Sequence, residues 1–205
     1  RELLDLDDKY SGYQKVAANV IAMDGTNWFS SFTIDKGFKE GIKKGMNVIA
    51  GSGLVGIVTD VGPNFAKVRS IIDDSSNVSS MVLTTKDNFN VGGSLKSMNQ
   101  DKVLPFTELR DEDDKVKVGD PVVTSYVSDQ YQEGILIGYI ASIEKNANTL
   151  TKSGTITPVV DFQHLREVLV ITTLKDTGEK ELSSQKASDT QTETQDNTET
   201  QKSQE

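Results

Sequence analysis

The sequence predicts an all-β protein built from two small, related β-barrel modules, and three observations carry that expectation. The first is a hairpin between Gly37 and Val61: two short apolar runs, Met46 to Ala50 and Leu54 to Val61, flank Gly51-Ser52-Gly53, whose glycines can take the positive φ of a tight reversal. Gly37, Gly41 and Gly45 recur every four residues, which suits a winding loop, because each Gly costs a helix about 1 kcal/mol against Ala. The second is a repeat. Val116 to Ser125 follows the pattern of Ile42 to Gly51, and Leu136 to Ile143 follows Leu54 to Val61, with a longer loop, Tyr126 to Ile135, in the second copy. The third is the alternation of Val16, Ala18, Val20 and Ala22, the period of a half-buried strand.

Taken in order, the chain begins with Leu3, Leu6, Tyr10 and Tyr13 at the three-four-three spacing of a heptad seam, so residues 1–12 read as the end of a coiled-coil helix or as an isolated amphipathic turn. The first module covers residues 13–72. Its strands are expected at Lys15 to Ala22, in the two arms of the hairpin, and at Lys67 to Ile72 after the turn Gly62-Pro63-Asn64. Trp28, Phe29 and Phe32 form an aromatic cluster that is expected to plug a barrel end. The second module covers residues 73–155, with strands at Val78 to Leu83, Asn88 to Leu95 and Lys102 to Phe106 ahead of the repeated hairpin. Two late strands, Gly154 to Val160 and Val168 to Thr173, bracket a short turn or helix at Asp161 to Arg166; residues 156–173 are open between closing the first module and extending the second. From Asp176 to Glu205 the chain turns to Ser, Thr, Gln, Glu and Asp, too little apolar surface to offset ordering entropy, and is expected to be a disordered acidic tail.

Composition excludes several classes of function. The 205 residues carry 31 acids against 22 bases, so there is no electrostatic case for nucleic acid. Eight of those acids, with three lysines, lie in the tail, which leaves the rest only mildly acidic. The absence of cysteine removes disulfide scaffolds and thiol catalysis. No phosphate loop, dinucleotide fingerprint or zinc motif is present, and no cofactor is expected. Asp111-Glu112-Asp113-Asp114 lacks the alternating oxygen ligands and glycine of a calcium loop and reads as a solvated loop. Ser125 follows Gly119-Asp120 at some distance but sits after a strand start, Pro121-Val122-Val123, with no oxyanion turn; Ser52 is an ordinary loop serine. His164 is the single histidine and reads as a surface or capping residue. No nucleophile, base and oxyanion set can be assembled.

The motifs from Val20-Ile21-Ala22-Met23-Asp24 through Trp28, Ile34-Asp35-Lys36-Gly37, Gly41-Ile42-Lys43-Lys44-Gly45-Met46, Gly53-Leu54-Val55-Gly56, Val118 to Ser125, Gly134, Ile137-Gly138 and the closing Pro158 to Ile171 resemble, in order, the extracytoplasmic part of the MreC rod shape-determining family. The resemblance runs from about Val16 to Thr173. It implies chymotrypsin-barrel-like modules, an N-terminal transmembrane helix and coiled coil preceding this region, and a position on the outer side of the bacterial cytoplasmic membrane. It also implies a noncatalytic scaffold of the cell-elongation machinery that binds a class B penicillin-binding transpeptidase, MreD, RodZ and indirectly MreB, and that self-associates as a homodimer or larger assembly. A passive spacer and, less in keeping with the motifs, a chymotrypsin-like hydrolase are the alternatives. The chain departs from the family after the Thr124-Ser125 pair, where Tyr126-Val127-Ser128-Asp129 replaces glycines. Tyr126, Val127 and Tyr131 therefore mark either a partner-binding surface or a plug folded back onto the barrel.

Overall fold

Twelve strands make up most of the regular structure of the described residues, and they close into two six-stranded barrels. The structure is a computed structural model that describes residues 10–23, 30–51, 53–111, 113–145 and 150–175. The first barrel contains β1 (Lys15–Met23), β2 (Ser31–Ile34), β3 (Asn47–Ala50), β4 (Gly53–Val61), β5 (Ala66–Ser70) and β12 (Glu167–Ile171). The second contains β6 (Asn77–Val82), β7 (Asn88–Gly92), β8 (Leu104–Leu109), β9 (Pro121–Thr124), β10 (Leu136–Lys145) and β11 (Lys152–Pro158).

The strand order is the same in both barrels once β12 is counted as the first strand of barrel one. Around the second barrel the order is β9-β10-β11-β8-β7-β6, and around the first it is β3-β4-β5-β2-β1-β12. The sixth position is filled by the strand that leads into the second barrel, but by the last strand of the chain in the first. The structure thus divides the late strands: β11 pairs with β10 and β8, whereas β12 pairs with β1 and β3. Residues 156–158 belong to the second barrel and 167–171 to the first. The chain leaves the first barrel, builds the second, and returns to close the first.

The repeat read from sequence reaches down to single hydrogen bonds. Gly45 donates to the Val58 carbonyl at 2.9 Å and Gly119 to the Ile140 carbonyl at 2.8 Å, both glycines being in the left-handed region at φ of 88° and 93°. Val48 faces Gly56 across one hairpin and Val122 faces Gly138 across the other. A side chain at Gly56 would place its Cβ 2.0 Å from the Arg69 carbonyl oxygen, and one at Gly138 would place it 2.1 Å from that of Thr157. Both glycines let a neighbouring strand approach. The bulges match too, between Val58 and Asp60 in β4 and between Ile140 and Ser142 in β10.

Some local expectations are revised. β7 ends at Gly92, and α1 (Leu95–Asp101) follows where strand was expected to continue; the Ser94 hydroxyl caps it by accepting the Ser97 N–H at 3.2 Å. The acidic run is not simply a solvated loop. Asp111 is buried and accepts from the N–H groups of Lys115 and Val116 at 2.8 and 3.1 Å, while the Lys152 ammonium meets it at 2.6 Å and also reaches Asp114. Burial opposes the charge on Asp111, but Lys152 and the two N–H groups outweigh it and hold the carboxyl below its usual range. Asp114, bonded by Lys145 and then Lys152, is held down at about 2. Positive charge in this loop comes from the chain's own lysines, and Glu112 lies outside the described residues.

Phe32 is buried in the first barrel as an aromatic plug requires. Its expected companions Trp28 and Phe29 lie outside the described residues, as do Leu3 and Leu6 of the heptad seam and the tail from Asp176. One contiguous apolar cluster runs through both barrels, joining Val48, Leu54 and Val68 of the first to Val122, Ile137 and Phe106 of the second. The barrels therefore share a core across their seam.

Candidate functional site: the long hairpin loop

The two hairpins differ at their tips. In barrel one, β3 and β4 are joined by Gly51 and Ser52, of which Ser52 lies outside the described residues. In barrel two, Ser125 to Ile135 intervene between β9 and β10. The base of this loop is tied internally. The Thr124 hydroxyl donates to the Gln132 carbonyl at 2.6 Å and accepts the Ile135 N–H at 2.8 Å; the Ser128 hydroxyl accepts the Tyr131 N–H at 3.0 Å. Such short polar side chains fold a loop by taking over backbone partners.

The loop is also tied to the rest of the molecule. Asn47, a polar side chain only 2% exposed at the start of β3, donates to the Gln130 carbonyl at 2.9 Å and accepts the Gln132 N–H at 2.7 Å. Gln132 donates in turn to the Thr173 carbonyl at 3.0 Å. The N-terminal turn contributes two tyrosines: the Tyr10 hydroxyl accepts the Leu136 N–H at 3.1 Å, and the Tyr13 hydroxyl donates to the Glu133 carbonyl at 3.2 Å. Burial raises the pKa of both phenols, so these hydroxyls stay protonated and available.

The three residues singled out from sequence separate into two roles. Tyr131 is 2% exposed and belongs to the shared core. Its reading as a contact surface is corrected: the ring fills the seam, and desolvation pushes its hydroxyl up to about 12. Tyr126 and Val127, by contrast, are 54% and 58% exposed. Val127 lines an open groove of about 760 Å³ on the face of the second barrel, together with Asn88, Phe89, Asn90, Lys86 and Arg110. An exposed apolar pair thus projects from a loop whose base is fixed, with Val127 forming part of the groove wall. Sequence reasoning found the projecting pair but not Asn47, Tyr10 or Tyr13, which hold the loop; an asparagine opening a strand was the available signal.

Ser125 is fully buried, donates to Asn88 Oδ1 and accepts the Val127 N–H at 3.2 Å, so its hydroxyl is a turn-forming group. His164 is exposed and bonded to Asp161, 2.6 Å away on the same turn; that bond is the main reason the Asp161 carboxyl is held below its usual range. Neither group has the other as a hydrogen-bond partner.

The family described as "Rod shape-determining protein MreC, barrel core" matches residues 20–172, three-quarters of the chain and all of the strands from the middle of β1 to β12. The chain belongs to the MreC family. A cell shape-determining MreC of Listeria monocytogenes is 33% identical over 173 residues, which is 83% of this chain and 58% of that protein. MreC of Bacillus subtilis is 29% identical over 166 residues, covering 78% of this chain and 57% of the relative. The chain therefore spans a little over half the length of these MreC proteins. Among solved structures, MreC from Listeria monocytogenes superposes with a TM-score of 0.70 at 31% identity, covering 86% of this chain and 87% of that one. An MreC from Helicobacter pylori, solved in a complex with the penicillin-binding protein PBP2, shares the fold at a TM-score of 0.57 and 13% identity, with 78% and 99% of the two chains covered. The two-barrel body is the MreC barrel core.

Proposed function

We propose that this chain is the noncatalytic, extracytoplasmic barrel region of a cell-elongation scaffold, which binds a class B penicillin-binding transpeptidase and so supports lateral peptidoglycan synthesis and rod shape. The observation that carries the reading is the MreC barrel core itself, with its counterpart from Helicobacter pylori in a complex with PBP2. The scaffold works by binding one conformation of the transpeptidase more tightly than another, which shifts its population without chemistry at the barrel surface. Tyr126 and Val127 form the contact: two exposed apolar side chains on a fixed loop lose little conformational freedom on docking. MreD, RodZ and, through them, MreB complete the assembly; self-association and an N-terminal membrane anchor belong to the same reading. No helix among the described residues is long and apolar enough to cross a membrane.

The test is calorimetric titration of the 205-residue chain against the extracellular part of a class B transpeptidase from the same organism. Saturable binding that weakens at least about tenfold in a Tyr126→Ala, Val127→Ala double variant is the expected result. A folded chain that binds no transpeptidase, with or without a dimerising coiled coil fused to its N-terminus, would make these barrels a passive spacer.

A further inference from the structure

The loop that carries Tyr126 and Val127 is held by groups from three separated parts of the chain, contacts without a counterpart among the described residues of the short hairpin in the first barrel. Tyr10 and Tyr13 hold its C-terminal end at Leu136 and Glu133, and Asn47 holds its middle at Gln130 and Gln132. Thr173 and Lys175 meet it at Gln132 and at the Tyr126 carbonyl, the latter at 3.3 Å. Most of these contacts are hydrogen bonds between polar groups, which water can replace when the loop lifts. Tyr131 adds a buried ring to these bonds, so the loop is seated by one apolar contact and by polar bonds that water can replace.

We infer that the β9–β10 loop is a latch, with Asn47, Tyr10 and Tyr13 as positioning residues through which the N-terminal turn sets how firmly Tyr126 and Val127 are presented. The regulated surface is the one assigned above, so this inference rests on that reading for its purpose, though not for its mechanics. The segment before Tyr10 is the part of the chain that the family resemblance assigns to a coiled coil. Strain or ordering there passes through two tyrosine hydroxyls into the loop backbone, and from the loop to the exposed pair. Because the coupling is a free energy shared between two ends, it runs in both directions: loosening Asn47 must loosen the tyrosine end as well.

Native-state hydrogen exchange on the 205-residue chain tests the latch without any transpeptidase, so its failure is distinct from failure of the binding reading. In a Tyr10→Phe, Tyr13→Phe double variant, the Tyr131 and Gln132 amides, which donate to Ser128 and Asn47, should exchange at least about fivefold faster. The β3 and β9 strand amides should keep their protection. Asn47→Ala should speed exchange at the Leu136 amide in the same way. Faster exchange confined to Glu133 and Leu136 in the tyrosine variant would overturn the latch.

Discussion

The two hairpins of this molecule descend from one pattern and do different work. β3 and β4 turn around within two residues, and Gly53 beside that turn lies close against the Leu136 carbonyl and Val159 of the second half of the chain. β9 and β10 keep the same facing pairs, the same bulge and the same glycine approach, yet their eleven-residue connection spans the seam and carries Tyr131 into it. Duplication fixed the barrel and left the tip free to vary. A loop insertion costs little in closure entropy, so one copy could acquire a docking element while the strands below it stayed unchanged.

The strongest way to break the comparison is to attack what the copies share. Gly56→Ala and Gly138→Ala each drive a Cβ into a strand carbonyl, so each should destabilise the chain by about 3–5 kcal/mol. Because the apolar core is continuous between barrels, either substitution should lower the midpoint of a single urea transition. Two separated transitions in one variant would show that the seam does not couple the barrels.

Tyr131→Ala attacks the seam alone. Removing a fully buried ring should cost about 3–4 kcal/mol in urea unfolding. A matching truncation at the other hairpin tip has no such target, since Gly51 carries no side chain. Equal stability of Tyr131→Ala and the parent would remove the ring from its place in the core.

A smaller effect separates the barrels electrostatically, because the Asp111, Lys152 and Asp114 cluster has no counterpart in barrel one among the described residues. Asp111→Asn should cost about 2 kcal/mol near neutral pH, since it leaves the buried Lys152 ammonium with weaker support. The sign with pH follows from the direction of the shifts. Asp111 and Asp114 have folded pKa values below 3.8, so their contribution is fully present above that value and is lost as pH falls through the folded values, about 2 for Asp114. Lys152 is the reverse case: burial opposes its charge, the two carboxylates outweigh burial and raise its pKa, and its contribution fades only as pH rises beyond 10.5. Unfolding free energy measured from pH 5 down to pH 2 should therefore fall less steeply in Asp111→Asn than in the parent. Parallel curves would mean that the cluster contributes nothing specific.

Much of this architecture could be read from the sequence because repeated glycines carry unusually local information. Gly45 and Gly119 announce a backbone conformation, and Gly56 and Gly138 announce a close approach, whatever the distant partner is. What escaped was decided by contacts far along the chain. The split of the late strands depends on β12 finding β1 and β3, over 100 residues earlier, and nothing within Glu167 to Ile171 names those partners. α1 is too short, with Met98 its one buried side chain, to show a helical period. Asp111 looked like one of four exposed acids because its partner, Lys152, lies 41 residues further on, at the start of β11. At the site, the exposed pair stood out as apolar bulk in a loop, but whether Tyr131 joined it outside or turned inward depended on the core that the two barrels share.

The smallest stability effect belongs to the pair left outside, and it sharpens the comparison most. Tyr126→Ala with Val127→Ala should change unfolding free energy by no more than about 0.5 kcal/mol, because neither side chain belongs to the core. Their bulk has therefore no structural reason to stand where small residues would turn the chain as well, and Ser125 and Ser128 already supply the turn's hydrogen bonds. If the same variant also leaves transpeptidase binding unchanged, the contact lies elsewhere on the barrels and the long loop is a seam-holding element only. A folded variant of parental stability that has lost binding would show that the two copies divided their labour at the tip, with Tyr131 turned inward to hold the barrels and Tyr126 and Val127 turned outward to meet the partner.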